Sequence, residues 1–511
     1  MLTLLVLCVF LAAAGRASAQ TIIYVNAAAA PGGNGQSWAT AYQDVVAALL
    51  AAELVPPQSR NFEIWVAQGV YRPNNPLARR NTPDPRSACF KLLNGVAIYG
   101  GFAGGEIRRS QRNWLTNQTV LSGDLAGNDS QADFDWTNHG DNVYSVVWAR
   151  SNDRTAILDG FVITGGNSVE DGSFGLPPGV TASEVPYVGQ GSGIFAYHGP
   201  FGAPPVDGPS IRNCWITRNV AHDCAGYDAV RSGGELLNCR LTLNEAINQG
   251  GGLFLDGSAG THLIAGCLIA DNRATRDSGM SIYGIQNQIV NCTIVRNHNT
   301  DPSSQAVRIA RPCQMENCII FYNTPGPVQV RANDVVNTSI RNCAVEGGLG
   351  GIVTIGQTSS IYSLVPGFVN PYGTDGVPGS DDDDWRLQAN SPYVDLGNNA
   401  VVPAGMLFDL DRRLRIFDFA LDDIPVVDLG AYETGSPILT DRLYVRAAAT
   451  GSGESWASPL SSLQEAITIA TVLGEDQVSE IWVAAGTYTP SPPIGQGGSR
   501  SASFQLRNGL V

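Results

Sequence analysis

Apolar residues in the middle of the chain stand at fixed offsets around a recurring Asn-Cys pair. Asn213-Cys214, Asn238-Cys239, Asn291-Cys292, Asn317-Cys318 and Asn342-Cys343 are five copies, Gly266-Cys267 is a degenerate sixth, and the Cys-to-Cys steps are 25, 28, 25, 26 and 25 residues. Two residues after each Cys comes an aliphatic residue (Ile216, Leu241, Ile269, Ile294, Ile320, Val345), and three before it comes another apolar one (Ile211, Leu236, Ile264, Ile289, Met315, Ile340). An offset of two keeps Cys and its follower on one face of a strand. An offset of three puts the earlier residue on the opposite face unless the backbone bends. The pattern predicts that bend at Asn, which tolerates left-handed backbone angles. A second Asn follows five residues after Cys (Asn219, Asn244, Asn272, Asn297, Asn323), with Gly348 in the last copy, and Gly-rich pairs such as Gly233-Gly234 open further short strands. Short strands, tight corners and a period of about 25 residues predict an all-β chain, a parallel β-helix solenoid with thiols inward and Asn amides stacked between coils. A helical-repeat solenoid is excluded, because no repeat holds an amphipathic stretch of the ~10 residues a helix needs.

The pattern divides the chain. Residues 1–20 read as a signal peptide: Leu2 to Ala14 is apolar and Ala17-Ser18-Ala19 is a small-residue cleavage site. Residues 21–119 read as an N-terminal cap and first strands, with a helix over Thr40–Leu54, Thr40 as its N-cap and Pro56-Pro57 as its stop. That helix is expected to cover the open end of the solenoid. Residues 120–365 carry the coils, and 366–435 form a C-terminal closing segment. From Leu443 the opening pattern returns: Tyr444-Val445 matches Tyr24-Val25, Ser455-Trp456-Ala457 matches Ser37-Trp38-Ala39, and Ile481-Trp482-Val483-Ala484 matches Ile64-Trp65-Val66-Ala67. Residues 443–511 thus read as the truncated start of a second β-helix copy, poorly stabilised alone.

Charge and cysteine content narrow the partners. The net charge of -15 argues against nucleic acid and against polyanionic glycans as main partners. After the signal, no run of 18 apolar residues remains, so no transmembrane span is expected and the protein is expected outside the cell. Export permits disulfides. The ladder cysteines nevertheless read as small buried hydrophobes, with disulfides between coils as the alternative. Cys89, Cys224 and Cys313 lie outside the ladder and their state is open. No Cys-x-x-Cys supports zinc.

Several stretches resemble a known group. Tyr24-Val25-Asn26, Gln36-Ser37-Trp38-Ala39 and Leu158-Asp159-Gly160-Phe161-Val162-Ile163 resemble bacterial secreted right-handed parallel β-helix proteins of the pectin-lyase-like fold. Gly233-Gly234-Glu235-Leu236 and Ile320-Phe321-Tyr322-Asn323 are similar to repeats of polymorphic outer-membrane proteins. Asp384-Trp385-Arg386-Leu387-Gln388, Ser391 to Gly397 and Asp428 to Glu433 look like a choice-of-anchor Q tail. The resemblance implies surface display or adhesion with no catalytic residue. The expected partners are extracellular polysaccharide or cell-surface glycans, met by a monomer.

The same fold type includes polysaccharide lyases and glycoside hydrolases, which keeps catalysis in a groove as the alternative. Asn299-Thr300-Asp301 matches only a first fragment of the polygalacturonase signature and reads as a turn. Arg308 and Arg331, with Asp256 and Asp277 as carboxylates, are the lyase-type candidates, against a reading as solvated surface residues. Asp375 and Asp381, Asp382, Asp383 and Asp384 are candidate calcium ligands, against a reading as a solvated acidic loop. Calcium is the one cofactor these residues suggest. His139, His198, His222, His262 and His298 are scattered, and Ser192 lies in no nucleophile elbow.

Overall fold

The computed structural model describes residues 20–79, 83–130, 132–169, 189–199, 206–256, 260–333, 337–353, 356–377, 379–417, 425–436, 442–449, 453, 455–473, 478, 480–490 and 504. The expected signal peptide, but for Gln20, lies outside the described residues, as do most of the Gly/Pro-rich stretch from 170 to 205 and nearly all of 491–511.

The coils build a parallel β-helix. Five successive circuits, from Ile157 to Ile309, carry four short strands each, and the strands pair in parallel with their equivalents in the next coil. Face A holds the strands before the Asn-Cys bend, for example Ser210–Arg212, Gly234–Leu237, His262–Ala265, Asn287–Val290 and Cys313–Glu316. Face B holds those after it, Trp215–Thr217, Arg240–Thr242, Leu268–Ala270, Thr293–Val295 and Ile319–Phe321. Strand Ser339–Val345 runs across the bend and joins the two faces. Face C is short, with Val220–Ala221, Glu245–Gln249, Arg273–Arg276 and His298–Asn299. Face D runs through Val147–Arg150, Ile194–Tyr197, Tyr227–Val230, Leu253–Asp256, Met280–Ile282, Val307–Ile309 and Val330–Ala332.

The bend lies where the offsets place it. Asn213, Asn238, Asn291, Asn317 and Asn342 have φ of 49°, 51°, 51°, 57° and 49°, and Gly266 has 63°. In consequence Ile211, Cys214 and Ile216 are all buried in one core, as are their equivalents in the later coils. The six ladder thiols are unlinked and buried. Each faces a carbonyl one coil back, as Cys239 Sγ does Ile211 O at 3.6 Å and Cys292 Sγ does Ile264 O at 3.6 Å.

A second corner follows face B. Its left-handed residue is the one before the second Asn: Arg218, Leu243, Asp271, Arg296 and Tyr322, with φ between 51° and 60°. That turn frees the Asn to point inward. Asn219 donates through Nδ2 to Asn244 Oδ1 at 3.0 Å, Asn244 to Asn272 at 3.0 Å, Asn272 to Asn297 at 2.9 Å and Asn297 to Asn323 at 2.9 Å. The Gly-rich column faces this ladder. A Cβ on Gly252 would lie 2.5 Å from Gly279 O and 3.2 Å from Asn272 Nδ2. Glycine stands there for lack of space beside the amides.

The opening segment is continuous with the coils. Strands Thr21–Val25, Phe62–Ala67 and Val96–Phe102 stack in parallel and lead onto Ile157–Asp159 of face A. The predicted helix is shorter than expected, Val45–Glu53, and its N-cap is Asp44, whose carboxylate accepts Val46 N–H at 2.8 Å. Thr40 instead ends a 3-10 turn over Trp38–Thr40. Asp44 outcompetes Thr40 because its short carboxylate suits an N-cap and the helix dipole. Val45, Val46 and Leu49 of the helix are buried in the main core with the first strands.

Residues 366–435 close the side of the solenoid. Asn342 Nδ2 donates to Leu396 O at 3.0 Å, Asn317 to Asn398 O at 3.0 Å, Asn291 to Asp428 O at 2.9 Å and Asn238 to Phe408 O at 2.8 Å. The corner asparagines thus hold the segment along successive coils. Trp385, Leu387, Tyr393 and Leu429 pack on the outward apolar residues of face B, Leu268, Val295, Ile319 and Phe321. Arg412 reaches the opening segment, its guanidinium 4.9 Å from the Trp114 ring.

The described strands of the second opening copy pair like those of the first. Arg442–Val445 pairs in parallel with Glu480–Val483, placing Tyr444 beside Trp482 as Tyr24 lies beside Trp65. A helix, Leu463–Leu473, accompanies them. Leu443, Val445 and Leu460 form a buried apolar cluster with Ala466 and Ala470 of this helix, and Leu407, Phe408 and Leu414 pack against that cluster. The two tryptophans differ, however. Trp65 is 3% exposed and stacks on Phe102 at 4.8 Å, whereas Trp482 is 43% exposed. Trp65→Ala is expected to cost about 3–5 kcal/mol and Trp482→Ala less than about 1 kcal/mol, read from denaturant midpoints. No described helix is long and apolar enough to cross a membrane.

Candidate functional site

Three regions collect polar chemistry. The first is the side of face D turned away from the core, where parallel register stacks a column of residues, several of them buried. Trp148, Phe195, Asp228, Phe254, Ser281, Arg308 and Arg331 follow one another in register. Arg308 and Arg331 are thus neighbours, and the Arg308 guanidinium lies 5.3 Å from the Tyr283 ring. Tyr283 and Phe254 are 5.6 Å apart with their rings tilted by 37°. Asp277 is buried behind them. It accepts Ser281 Oγ–H at 3.0 Å and a Gln305 amide N–H, and Gln305 in turn accepts Arg331 Nε–H at 2.8 Å. Burial pushes the Asp277 carboxyl up. Three of the four lyase-type candidates are thus brought together, with Asp277 acting on Arg331 only through Gln305.

Asp228, missed in the sequence, sits between Phe195 and Phe254 at 1% exposure. Burial pushes its carboxyl well up, and Asp223 and Asp256 push further. Asp256 is diagonal to it on the next rung and is raised by burial against a lowering from Arg231. The only sequence signal for Asp228 is a carboxylate at an in-register strand position that elsewhere holds Phe254.

The second region is an open groove of about 940 Å3 on the outside of face A. Its floor is an in-register column, Leu263, Gln288, Gln314, Ser339 and Gln357. Arg154 and Arg341 line it, and no carboxylate stands among its described lining residues. At one edge His262 Nδ1 lies 3.1 Å from Asn287 Oδ1, and Asn287 pairs in register with Cys313. Asn287 therefore separates Cys313 from His262. Burial holds the imidazole neutral, pushed down to about 4, and pushes the thiol up to about 12. Neither state suits a nucleophile and its base.

The third region is the acidic run. Three of its five carboxylates pair with separate arginines, and Asp375 and Asp382 share Ser380. Asp381 pairs with Arg218 at 3.0 Å, Asp383 with Arg296 and Asp384 with Arg386 at 2.9 Å. Asp375 accepts Val377 N–H at 2.8 Å. Asp382 takes Ser380 Oγ–H at 2.6 Å and a Thr374 N–H at 2.5 Å, donors that hold it below the usual carboxylate range. Among the described residues no three His, Cys, Asp or Glu side chains converge as metal ligands do. Arg218 and Arg296 at the second corner and Arg386 of the closing segment thus take Asp381, Asp383 and Asp384 one by one, while Asp375 and Asp382 are held by backbone and hydroxyl donors.

The remaining candidates have structural partners. Ser192 donates to Ala225 O at 3.0 Å, and Asp301 accepts Ser303 N–H at 2.9 Å in the expected turn. His198 faces Ser151 Oγ at 3.1 Å and His298 faces Thr324 Oγ1 at 2.9 Å. His139 lies 3.5 Å from Asp129, and His222 lies 3.4 Å from Asp223.

Comparison with known proteins adds little to this geometry. No family model matches the chain. No curated protein matches it either. Among solved structures it is similar to the crystal structure of pectate lyase Pel9A, at 13% identity and a TM-score of 0.40, over 81% of this chain and 96% of that one. The β-helix assignment rests on the parallel registers of the chain itself.

Proposed function

We propose that this chain is an exported β-helix protein that contacts extracellular polysaccharide or cell-surface glycans through the groove on face A, as a monomer and without turnover. The groove carries the reading. From Gln288 to Gln357 its floor repeats amide and hydroxyl side chains rung by rung, about 4.8 Å apart along the axis, close to the length of one sugar ring along an extended chain. Gln288, Gln314 and Gln357 each offer donors and an acceptor. The described lining residues include two arginines and no carboxylate, so among the described residues the acidic whole-chain charge does not extend into it. Export is supported by the apolar run and small-residue site within residues 1–20.

A glycan array probed with the whole protein, followed by titration of the best polysaccharide, tests this. Gln288→Ala and Gln314→Ala are each expected to weaken binding about 3–10-fold, with no reducing ends or unsaturated product released. Unchanged affinity in both variants overturns the reading.

Hydrolysis on face D is the second reading, favoured by Asp228 and Asp256. A buried carboxyl pushed up by its surroundings, diagonal to a second, partly exposed one, is the pairing a general acid and its partner require. Under this reading the whole protein releases reducing ends from a polysaccharide, and Asp228→Asn abolishes release while face A binding persists.

A further inference from the structure

The second opening copy carries a strand edge that the first copy covers. In the first, Val96–Phe102 pairs in parallel with Phe62–Ala67. Among the described residues, Glu480–Val483 pairs with Arg442–Val445 and no strand takes its other edge. We propose that this edge is a strand-addition site. Its occupant is an extended segment of another protein chain with the pattern of Val96–Phe102: aliphatic residues at alternate positions, then a tyrosine, two glycines and a phenylalanine.

This chain's half of the site is already built. Tyr444, Trp456 and Trp482 stand as Tyr24, Trp38 and Trp65 do. The Tyr444 ring lies 5.1 Å from that of Trp456 and 5.8 Å from that of Trp482, against 4.9 and 5.7 Å in the first copy, and all four contacts are edge-on. Trp482 Nε1 donates to Glu480 Oε2 at 2.8 Å, as Trp65 Nε1 does to Glu63 Oε2 at 2.6 Å. The indoles are thus held in place before a partner arrives, which lowers the cost of ordering them on binding.

What the first copy adds is Phe102. That ring is fully buried, stacks on Trp65 at 4.8 Å and lies 5.6 Å from Trp38. In the second copy Trp456 is 38% and Val483 42% exposed, beside the exposed Trp482. Large apolar side chains grouped at one open strand edge mark an interaction surface. Main-chain bonds along the edge supply affinity, and the aromatic contact supplies specificity.

Register specifies the occupant. Tyr99 pairs with Trp65 and Phe102 with Ala67, so three steps on the incoming strand match two on the receiving one. Gly101, at a φ of 92°, absorbs the extra residue. The occupant therefore needs glycine before its phenylalanine. Arg442 lies 3.9 Å from the Trp482 ring but does not compete. It is level with Glu480, before the tryptophan, whereas Phe102 is level with Ala67, after its own. A second copy of this chain is a poor donor of Val96–Phe102, because that strand is paired on both edges, with Phe62–Ala67 and Ile157–Asp159.

The test is titration of the whole protein with a synthetic peptide of residues 94–102, read by NMR of the tryptophan indole N–H signals and by calorimetry. The expected result is a saturable shift of the Trp482 signal with the Trp65 signal unmoved. The same peptide carrying Phe102→Ala should bind about tenfold more weakly or worse. Trp482→Ala in the protein should weaken the unaltered peptide by a similar factor while glycan binding at face A is unchanged, so the two readings fail separately. Sedimentation of the protein without peptide checks for a second copy on the edge. No shift of the Trp482 signal, equal binding of the two peptides, or a dimer that Trp482→Ala abolishes overturns the proposal.

Discussion

Asn272→Ala is expected to destabilise the protein by about 4 kcal/mol, at the upper end of single substitutions. Asn272 is in the middle of the inner ladder. Its Oδ1 accepts both the backbone N–H of Asn244 at 3.1 Å and Asn244 Nδ2 at 3.0 Å. Its Nδ2 donates to Asn297 Oδ1 at 2.9 Å and to Leu241 O at 2.8 Å. Alanine removes all four bonds and leaves buried groups of two neighbouring coils without partners. Each such group costs about 1–3 kcal/mol, and Asn244 Nδ2 keeps bonds to Ile216 O and Thr242 O, which limits the total. Cys267→Ala is the control. The Cys267 thiol makes only weak contacts with Leu236 O and Ala265 O, both at 3.5 Å, and its loss should cost about 1 kcal/mol. Urea midpoints of the two variants decide whether amides or thiols hold the coils together. Equal losses would mean that the amide ladder contributes no more than packing.

The repeat was legible because one residue type carries one backbone need. Asn213 and its equivalents occupy left-handed angles that Asn tolerates, and a single odd offset between Ile211 and Cys214 revealed the bend. The second corner was not legible in this way. Leu243, Arg296 and Tyr322 adopt the same left-handed angle without the residue type announcing it. The strain, about 1–2 kcal/mol each, is offset by the Asn amide that the turn directs inward. A signal for the docked segment did exist. Leu268, Ile319 and Phe321 are apolar on the side of the strand opposite to Ile269 and Ile320, and a strand apolar on both sides needs cover on both. The column under the groove can likewise be read at four residues before each Cys, in Leu263, Gln288, Gln314 and Ser339. The small cavity between Trp215 and residues 379–386 could not be read. Its walls come from strands and a segment more than a hundred residues apart, and only the docking of 366–435 brings them together.

Stability is expected to fall as pH rises from about 4 to about 6, through carboxyls buried by that docking. Asp409 is buried, and burial with the charge of Asp411 pushes its carboxyl up to about 6. Asp428 and Glu433 are also raised, burial first in both. Asp271, under the acidic run, is pushed up to about 6 by burial against the pull of Arg296. A folded value above the unfolded one, about 3.9 for Asp, means that the folded protein binds more protons in this window. The stabilisation is therefore complete below the unfolded value and is lost as pH rises through the folded one. For Asp409 alone the shift is worth about 3 kcal/mol. Melting temperature at pH 4.5 should exceed that at pH 7.5, and Asp409→Asn, which removes the charge and keeps the shape, should flatten part of the difference. Limited proteolysis locates the effect: cleavage within 366–435 should quicken at the higher pH before the coils yield. A melting temperature that rises from pH 4.5 to 7.5 would show that Arg415, buried among these groups, holds them ionised.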